Sequence, residues 1–193
     1  QSQLYVDRRG SGTPDDFINS YGGSLKYSTE RKLSEKFDLK LNTSYRKKRS
    51  YYDLQSSAYP SYGDTTLDNI QFTPRINNTF IINNYNIESV LGIDLQRSKY
   101  HSFRKEEQNS LPLHEYTSDL ESQAFYYQNN VNVTPTLTLG TGLRIQRNLI
   151  KISDNVNPNA PNFKSWTVHH KNFSDTETNY SYSVGLEKII NSK

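Results

Sequence analysis

The sequence has no cysteine, no methionine and a single tryptophan among 193 residues. Without cysteine, disulfide bonds and thiolate metal sites are excluded. No stretch approaches the roughly 18 uninterrupted apolar residues of a transmembrane helix. The 23 lysines and arginines nearly balance 20 acidic residues, so the charge does not favour nucleic acid as a partner. No initiating methionine or signal peptide opens the chain, and we expect it to be a piece of a longer protein.

Alternation of apolar and polar residues runs through most of the chain, whereas helical periodicity is nearly missing. In "TLTLGTGLRIQRNLI", Thr136 to Ile150, leucines and an isoleucine fall on odd positions, and threonine, glycine, arginine and glutamine fall on even ones. "FDLKLNTSYR", "NIQFTPRINNTFII" and "YNIESVLGIDLQ" repeat the pattern. We predict an all-β, antiparallel up-and-down meander of about eight strands, several of them about ten residues long. The first of these strands contains Leu4 and Val6.

The predicted connections alternate between short and long along the chain. Short ones are predicted at Arg31–Lys36, Asn83–Asn84 and Thr134–Thr136, and long ones at Arg9–Ile18, Lys47–Asp68, Arg97–Leu120 and Lys151–Thr178. In a meander, alternate connections lie at opposite ends of the sheet. One end would therefore carry only tight turns and the other only long loops, as in outer-membrane β-barrels.

Three features qualify this pattern. Pro74 lies inside a predicted strand and requires a bulge or a local break, because proline cannot donate a ladder hydrogen bond. Asn78 and Asn129 fall on the apolar face, where an unpaired amide is costly. Arg147 also falls there, and it fits a membrane strand only near the outer rim, where its head can reach lipid phosphates.

Alternation alone leaves three architectures open. The apolar face can meet lipid in a segment of a large barrel, the core of a soluble β-sandwich such as a carbohydrate-binding module, or lipid in a complete eight-stranded barrel with a structural or adhesin role. Strand length favours a membrane barrel, because tilted membrane strands need about nine to eleven residues and globular strands are usually nearer five or six.

An ordered set of motifs resembles the barrel of TonB-dependent outer-membrane receptors and transporters. The set is "FTPRINNTF", "ESVLGIDLQRSKY", "QAFYYQNNVNVTPTLTLGTGLRIQR" and "YSYSVGLEKII", in this order and spacing. The resemblance implies that residues 1–193 are a partial receptor-like barrel domain, about eight strands of a transmembrane barrel of roughly 22 strands with a plugged lumen. No plug domain or TonB box is recognised within the chain.

The resemblance also implies a function and a set of partners. It implies a receptor in the outer membrane of a Gram-negative bacterium that takes up a scarce nutrient, such as a ferric siderophore, haem or cobalamin. Outer-membrane lipid and lipopolysaccharide would surround the barrel. The TonB complex would act through an N-terminal region that this chain lacks. No resident cofactor or metal is implied.

No catalytic constellation is found, so we expect no enzyme. The candidate ligand contacts lie in predicted loops: Tyr51 and Tyr52 in the basic, aromatic stretch Arg46–Asp53, and the adjacent pair His169 and His170. Tyrosine rings can stack on a ligand, and imidazole is a good iron ligand. Solvated loop residues and an aromatic girdle at the membrane boundary also explain the same residues, and we favour this interpretation over a specific ligand site.

The alternation assigns the strand residues to two faces. In a barrel, the residues predicted to face the lumen are Asp38, Lys40, Arg75, Glu88, Asp94, Arg144 and Gln146. The residues predicted to face lipid are Phe37, Leu39, Leu41, Leu91, Ile93, Leu137, Leu139, Leu143 and Ile145.

Overall fold

The chain folds as one antiparallel sheet in which sequence neighbours pair, in the order β1-β2-β3-β4-β5-β6-β7. The structure is a computed structural model that describes residues 16–54, 61–106, 109–159 and 171–190. The strands are β1 (Phe17–Lys32), β2 (Phe37–Leu54), β3 (Ser61–Ile82), β4 (Tyr85–Lys105), β5 (His114–Thr134), β6 (Leu137–Val156) and β7 (Phe173–Lys188). The predicted all-β meander is confirmed. The predicted strand around Leu4 and Val6 lies outside the described residues.

Three tight turns lie together at one end of the sheet, which we call the turn end. Asn83 and Asn84, between β3 and β4, have φ of 48° and 71°. Two consecutive positive φ values define a type I′ turn, whose twist matches that of the flanking strands and which asparagine tolerates. At the next turn, the Thr134 hydroxyl accepts from the Thr136 amide at 3.3 Å. All three short connections therefore lie where the sequence predicts them.

The opposite end, which we call the loop end, differs from the prediction. The strands run 16 to 22 residues, as β1 and β3 show, so they extend well into the predicted long loops. β2 continues to Leu54 and β3 begins at Ser61; β4 continues to Lys105 and β5 begins at His114. Counted from the turn end, β2 to β5 and β7 carry fewer apolar residues beyond about the tenth position, although the backbone ladder continues. The hydropathy pattern therefore ends before the strand does.

Pro74 interrupts one ladder without shifting it. β3 and β4 pair up to Phe72–Leu95 and again from Arg75–Gly92, and the register is the same on both sides. Pro74 keeps its place opposite Leu41 of β2. The predicted local break is therefore present, and a bulge occurs instead on β5, between Asn132 and Thr134.

The described residues form a single layer with almost no core. The only buried hydrophobic residues among them are Tyr62, Leu113 and Ala124, while apolar side chains such as Leu91, Ile93 and Leu143 are exposed. Among the described strands, β1 pairs only with β2 and β7 only with β6, so this sheet is not closed. A β-sandwich needs a second sheet over the apolar face, and the described part of the chain provides none.

No helix in the described ranges is long and apolar enough to cross a membrane.

Candidate functional site

The strand register sorts the predicted site residues onto two faces of the sheet. Residues opposite each other on paired strands point to the same side. One row contains Leu39, Ile76, Leu91, Tyr127 and Leu143. The register places all nine residues predicted to face lipid on this side, which we call the apolar face. The seven residues predicted to face the lumen lie on the other side, the polar face.

A hydrogen-bonded cluster around Arg144 occupies the turn-end half of the polar face. Arg144 Nη1 donates to Asp94 Oδ2 at 2.7 Å, and its Nε and Nη2 donate to Gln146 Oε1 at 3.2 and 3.1 Å. The guanidinium carbon lies 5.8 Å from the Tyr126 ring centre. Gln146 in turn donates to the Ser122 hydroxyl at 3.1 Å. The cluster fixes side chains of β4, β5 and β6 relative to one another.

The other predicted polar-face residues lie near this cluster. Lys40, Arg75, Gly92, Tyr126 and Arg144 share one row across β2 to β6. Lys40 forms an ion pair with Glu30 at 3.0 Å. The Arg75 Nε is buried and has no hydrogen-bond acceptor among the described residues.

A second polar cluster lies at the loop end of the same face. His114 Nδ1 and Asp154 Oδ1 are 2.9 Å apart, and these residues are 3% and 2% exposed. The His114 ring stacks on Tyr116, with centres 5.2 Å apart. Arg104 Nε donates to the Ser61 hydroxyl at 3.3 Å. Burial, followed by the negative charge of Asp154, raises the pKa of Tyr116.

Tyr51 and Tyr52 do not form a common site. They were predicted to lie in a loop, but Arg46–Asp53 belongs entirely to β2, and neighbouring strand residues point to opposite faces. The Tyr52 ring covers Gly63 on the polar face. The Tyr51 ring contacts Phe17 on the apolar side, with centres 5.7 Å apart. His169 and His170 lie outside the described residues.

An ion pair accompanies Tyr51 on that side. Arg49 binds the Asp64 carboxylate through Nε and Nη2, with Nε to Oδ1 at 2.9 Å. Its Nη1 donates to the Tyr21 hydroxyl at 3.1 Å. The hydrogen bonds with Asp64 and then Tyr21 raise the pKa of Arg49, so the guanidinium stays charged.

The polar residues on the apolar face are partly paired. The Ser89 hydroxyl donates to the Asn129 side-chain oxygen, whereas the buried Oδ1 of Asn78 has no partner among the described residues. Arg147 lies opposite Gln123 and Thr178, two residues beyond the apolar Ile145 toward the loop end. Asn129 therefore has a local partner.

The loop-end residues Arg104, His114, Tyr116 and Asp154 were missed by the sequence reasoning. Three of them lie in "SKYHSFRK" and "HEYTSDL", where polar residues occupy nearly every position on both faces. Without a hydrophobic contrast between the two faces, the sequence does not distinguish a strand from a loop. No group of three or more histidine, aspartate or glutamate side chains suited to a metal occurs in the described ranges.

Comparisons with known proteins agree on the fold. The family profile described as "TonB dependent receptor-like, beta-barrel" matches residues 2–192. The unliganded ferric citrate transporter FecA is 14% identical with a TM-score of 0.74, covering 95% of this chain and 28% of that protein. BauA, the ferric preacinetobactin receptor from Acinetobacter baumannii, is 10% identical with a TM-score of 0.62, covering 88% of this chain and 28% of that protein.

A third solved structure, the ferric yersiniabactin uptake receptor FyuA from Yersinia pestis, is 14% identical with a TM-score of 0.55, covering 92% of this chain and 26% of that protein. No curated protein matches the sequence. The chain spans less than a third of each of these solved proteins, and likenesses at such low identity show the fold alone. The profile match spans nearly the whole chain, and it shows that the chain belongs to the TonB-dependent receptor β-barrels, a family of outer-membrane proteins of Gram-negative bacteria.

Proposed function

We propose that this chain forms about a third of the wall of a roughly 22-stranded barrel that imports a scarce nutrient in the form of a ferric chelate. The apolar face meets lipid and the polar face lines the lumen. Leu91, Ile93, Leu143 and Ile145 then lie in the bilayer, and Asp94 and Arg144 face the plug. One observation carries the assignment of faces: the apolar band ends on a line that crosses the strands obliquely.

The end of the apolar band can be followed strand by strand on the apolar face. Counted from the turn end, the dense part of the band ends at Tyr45, Ile70, Leu95, Phe125, Ile145 and Tyr180, on β2 to β7, and the next residue on the face is charged, amide or hydroxyl. Only isolated apolar or aromatic residues lie beyond it on this face, namely Tyr51, Tyr62, Phe103 and Leu149. Ile70 is opposite Tyr45. Phe125 is opposite Ile93, which by the β3–β4 register stands beside Pro74.

The line therefore moves by four residues between β2 and β7, from the row of Ile70 to the row of Pro74 (74 − 70 = 4). That is about 13 Å along a strand, over five inter-strand steps of about 4.8 Å. The slant is about 30°, close to the strand tilt of about 35–45° in membrane barrels. A flat bilayer requires this slant because it is level while the strands are tilted; a soluble core does not.

Cations lie just beyond this line on the apolar face. Arg97 pairs with Glu121 at 3.3 Å, Lys99 lies beside Asp68 and Asp119, and Arg147 lies beside Thr178. In the proposed orientation they reach the level of the lipid phosphates. Lipopolysaccharide is the partner whose phosphate groups fit them.

The proposed cargo follows from the solved relatives, which include receptors for ferric citrate, ferric preacinetobactin and ferric yersiniabactin. Energy from the TonB complex would reach the barrel through a plug and a TonB box elsewhere in the full protein. No catalytic step is proposed. The candidate ligand contacts on the lumen side are Tyr52, Arg104 and Tyr116, and His169 and His170 remain predicted contacts.

Single-cysteine labelling tests the two faces, because residues 1–193 contain no cysteine and any cysteine elsewhere in the full-length protein can be replaced by serine. Spin labels are placed at positions 91, 93, 143 and 145, and at 94, 144 and 146, in the full-length protein in liposomes. We expect high oxygen and low nickel-chelate accessibility at the first set, as in lipid, and the reverse or a plug-protected signal at the second. Equal accessibility of neighbouring positions along β4 or β6 would contradict the assignment.

Uptake of radioactive iron by cells tests the transport function. Cells that express the full-length protein should accumulate iron from at least one ferric chelate, and deletion of the TonB protein should abolish the accumulation. Expression without any TonB-dependent accumulation of iron, haem or cobalamin would refute the proposed transport.

A further inference from the structure

The loop-end half of the polar face carries a wide basic patch without a single carboxylate. The patch consists of five rows across β1 to β5, and it is bounded by Lys26, Ser44, Gln71, Gln96 and Ser122 on the turn side and by Ile18, Tyr52, Gly63, Arg104 and His114 on the loop side. Its cations are Lys26, Arg46, Lys48 and Arg104. The remaining positions are mostly serine, threonine, asparagine and glutamine.

The opposite face of the same strand segments contrasts with the patch. All five carboxylates of these segments lie there: Asp64, Asp68, Glu115, Asp119 and Glu121. Cations on that face have acidic partners, such as Lys47 with Asp68 at 3.9 Å and Arg49 with Asp64. Within these segments of β1 to β5 the acidic residues therefore lie on one side of the sheet, although cations occur on both. On β6 and β7 the same rows carry Asp154, Asp175 and Glu177 on the polar face, so the patch ends at β5.

Arg46 and Lys48 have no such partner. Both side chains are exposed, and neither forms an ion pair with any residue in the described ranges. Each lies between neutral neighbours: Arg46 between Ser24 and Asn69, and Lys48 between Gly22 and Leu67. Their positive charge is therefore directed outward from the polar face and is not neutralised locally.

Hydroxyl and amide groups surround these cations in pairs across the strands. The hydroxyls of Ser20 and Ser50 are 2.7 Å apart, and those of Thr65 and Ser102 are 3.0 Å apart. The Asn69 amide donates to the Ser98 hydroxyl at 2.6 Å. These groups can also donate to oxygen atoms of a ligand, and they add no negative charge.

We propose that the basic patch makes the receptor select anionic ligands, namely ferric chelates whose outer atoms are carboxylate or catecholate oxygens. This inference rests on the proposed function, because it requires the polar face to line the lumen. Arg46 lies level with the loop-end limit of the apolar band and Lys48 lies beyond it, so the patch faces the entrance of the barrel. A wall of one charge sign concentrates oppositely charged ligands in front of it and repels cationic ones.

Binding measurements on the full-length receptor test the inference. The probes are ferric citrate, a ferric tris-catecholate, a neutral ferric trihydroxamate and a cationic ferric trihydroxamate with a free ammonium group. The test variant R46Q/K48Q removes two positive charges from the polar face. The matched control K47Q/K99Q removes two from the apolar face of the same sheet, so that both variants have the same net charge.

We expect at least one anionic chelate to bind more tightly than the neutral and cationic ones. R46Q/K48Q should raise the Kd for this chelate by about 10-fold or more, and K47Q/K99Q should raise it by less than about 2-fold. The wild-type affinity should also fall as salt rises from about 50 to about 500 mM, and the variant should show a smaller dependence.

Two results would overturn the inference while the proposed function stands. One is tighter binding of the neutral or cationic chelate with no effect of R46Q/K48Q. The other is an equal loss in both double variants. Failure of all four chelates to bind, in a receptor that also imports no iron, would refute the proposed cargo and the inference with it.

Discussion

Arg144 and Asp94 are joined across an intervening strand: Arg144 Nη1 lies 2.7 Å from Asp94 Oδ2, although β5 separates β6 from β4. Asp94 stands beside Ala124, and Tyr126, the residue opposite Arg144, provides the ring over which the guanidinium passes. The small side chain at Ala124 leaves room for this diagonal contact. A link between second-neighbour strands adds a constraint that backbone pairing does not provide.

The Arg144–Asp94 pair should contribute only modestly to stability, because its side chains are 38% and 28% exposed. In the full-length receptor we expect R144A and D94N each to lower the free energy of unfolding by about 0.5–1 kcal/mol. A double-mutant cycle should give a coupling of about 0.5 kcal/mol by denaturant titration in detergent. Strict additivity of the two changes would contradict a direct interaction.

Glycines on different strands of the sheet differ in the space around them. A Cβ at Gly92 would overlap the Tyr126 ring, whereas a Cβ at Gly23 or Gly185 meets nothing within 4 Å. We expect G92A to cost about 1–3 kcal/mol, because Tyr126 must leave its position under Arg144. G185A should be neutral within about 0.5 kcal/mol. Thermal unfolding of the three proteins distinguishes these outcomes, and equal midpoints would argue against the packing of Tyr126 on Gly92.

The sequence predicts the strands and their faces only where apolar and polar residues alternate. Alternation places Leu143 and Arg144 on opposite faces because the strands have one apolar side in this region. It fails at Tyr51 and Tyr52, because beyond the apolar band both sides of β2 are polar and the ladder leaves no trace in hydropathy. Contacts such as Arg144 with Asp94 also escape it, since they depend on the register of three strands.

The buried pair His114–Asp154 at the loop end should contribute more to the free energy of unfolding than a similar exposed pair. H114A would leave Asp154, which is 2% exposed, without its imidazole partner. We expect a loss of about 3 kcal/mol. The control is H101A, which removes an exposed contact with Glu115 of 2.8 Å and should cost less than about 1 kcal/mol. Hydrogen exchange of the β5 and β6 amides near the loop end should rise in H114A only; similar effects of both variants would show that burial does not protect the first pair.

An arginine introduced on each face tests which of the two faces contacts lipid. Ile93 lies within the apolar band, between Leu91 and the loop-end limit at Leu95, whereas Gln146 lies on the polar face. We expect I93R to destabilise the folded receptor in lipid by about 1–3 kcal/mol, because the cost of an arginine is largest at the mid-plane of a membrane barrel and falls toward the interface. Q146R should cost about 1 kcal/mol or less, because the side chain remains on a polar surface. Folding titrations in liposomes measure both, and a larger loss for Q146R than for I93R would reverse the two faces.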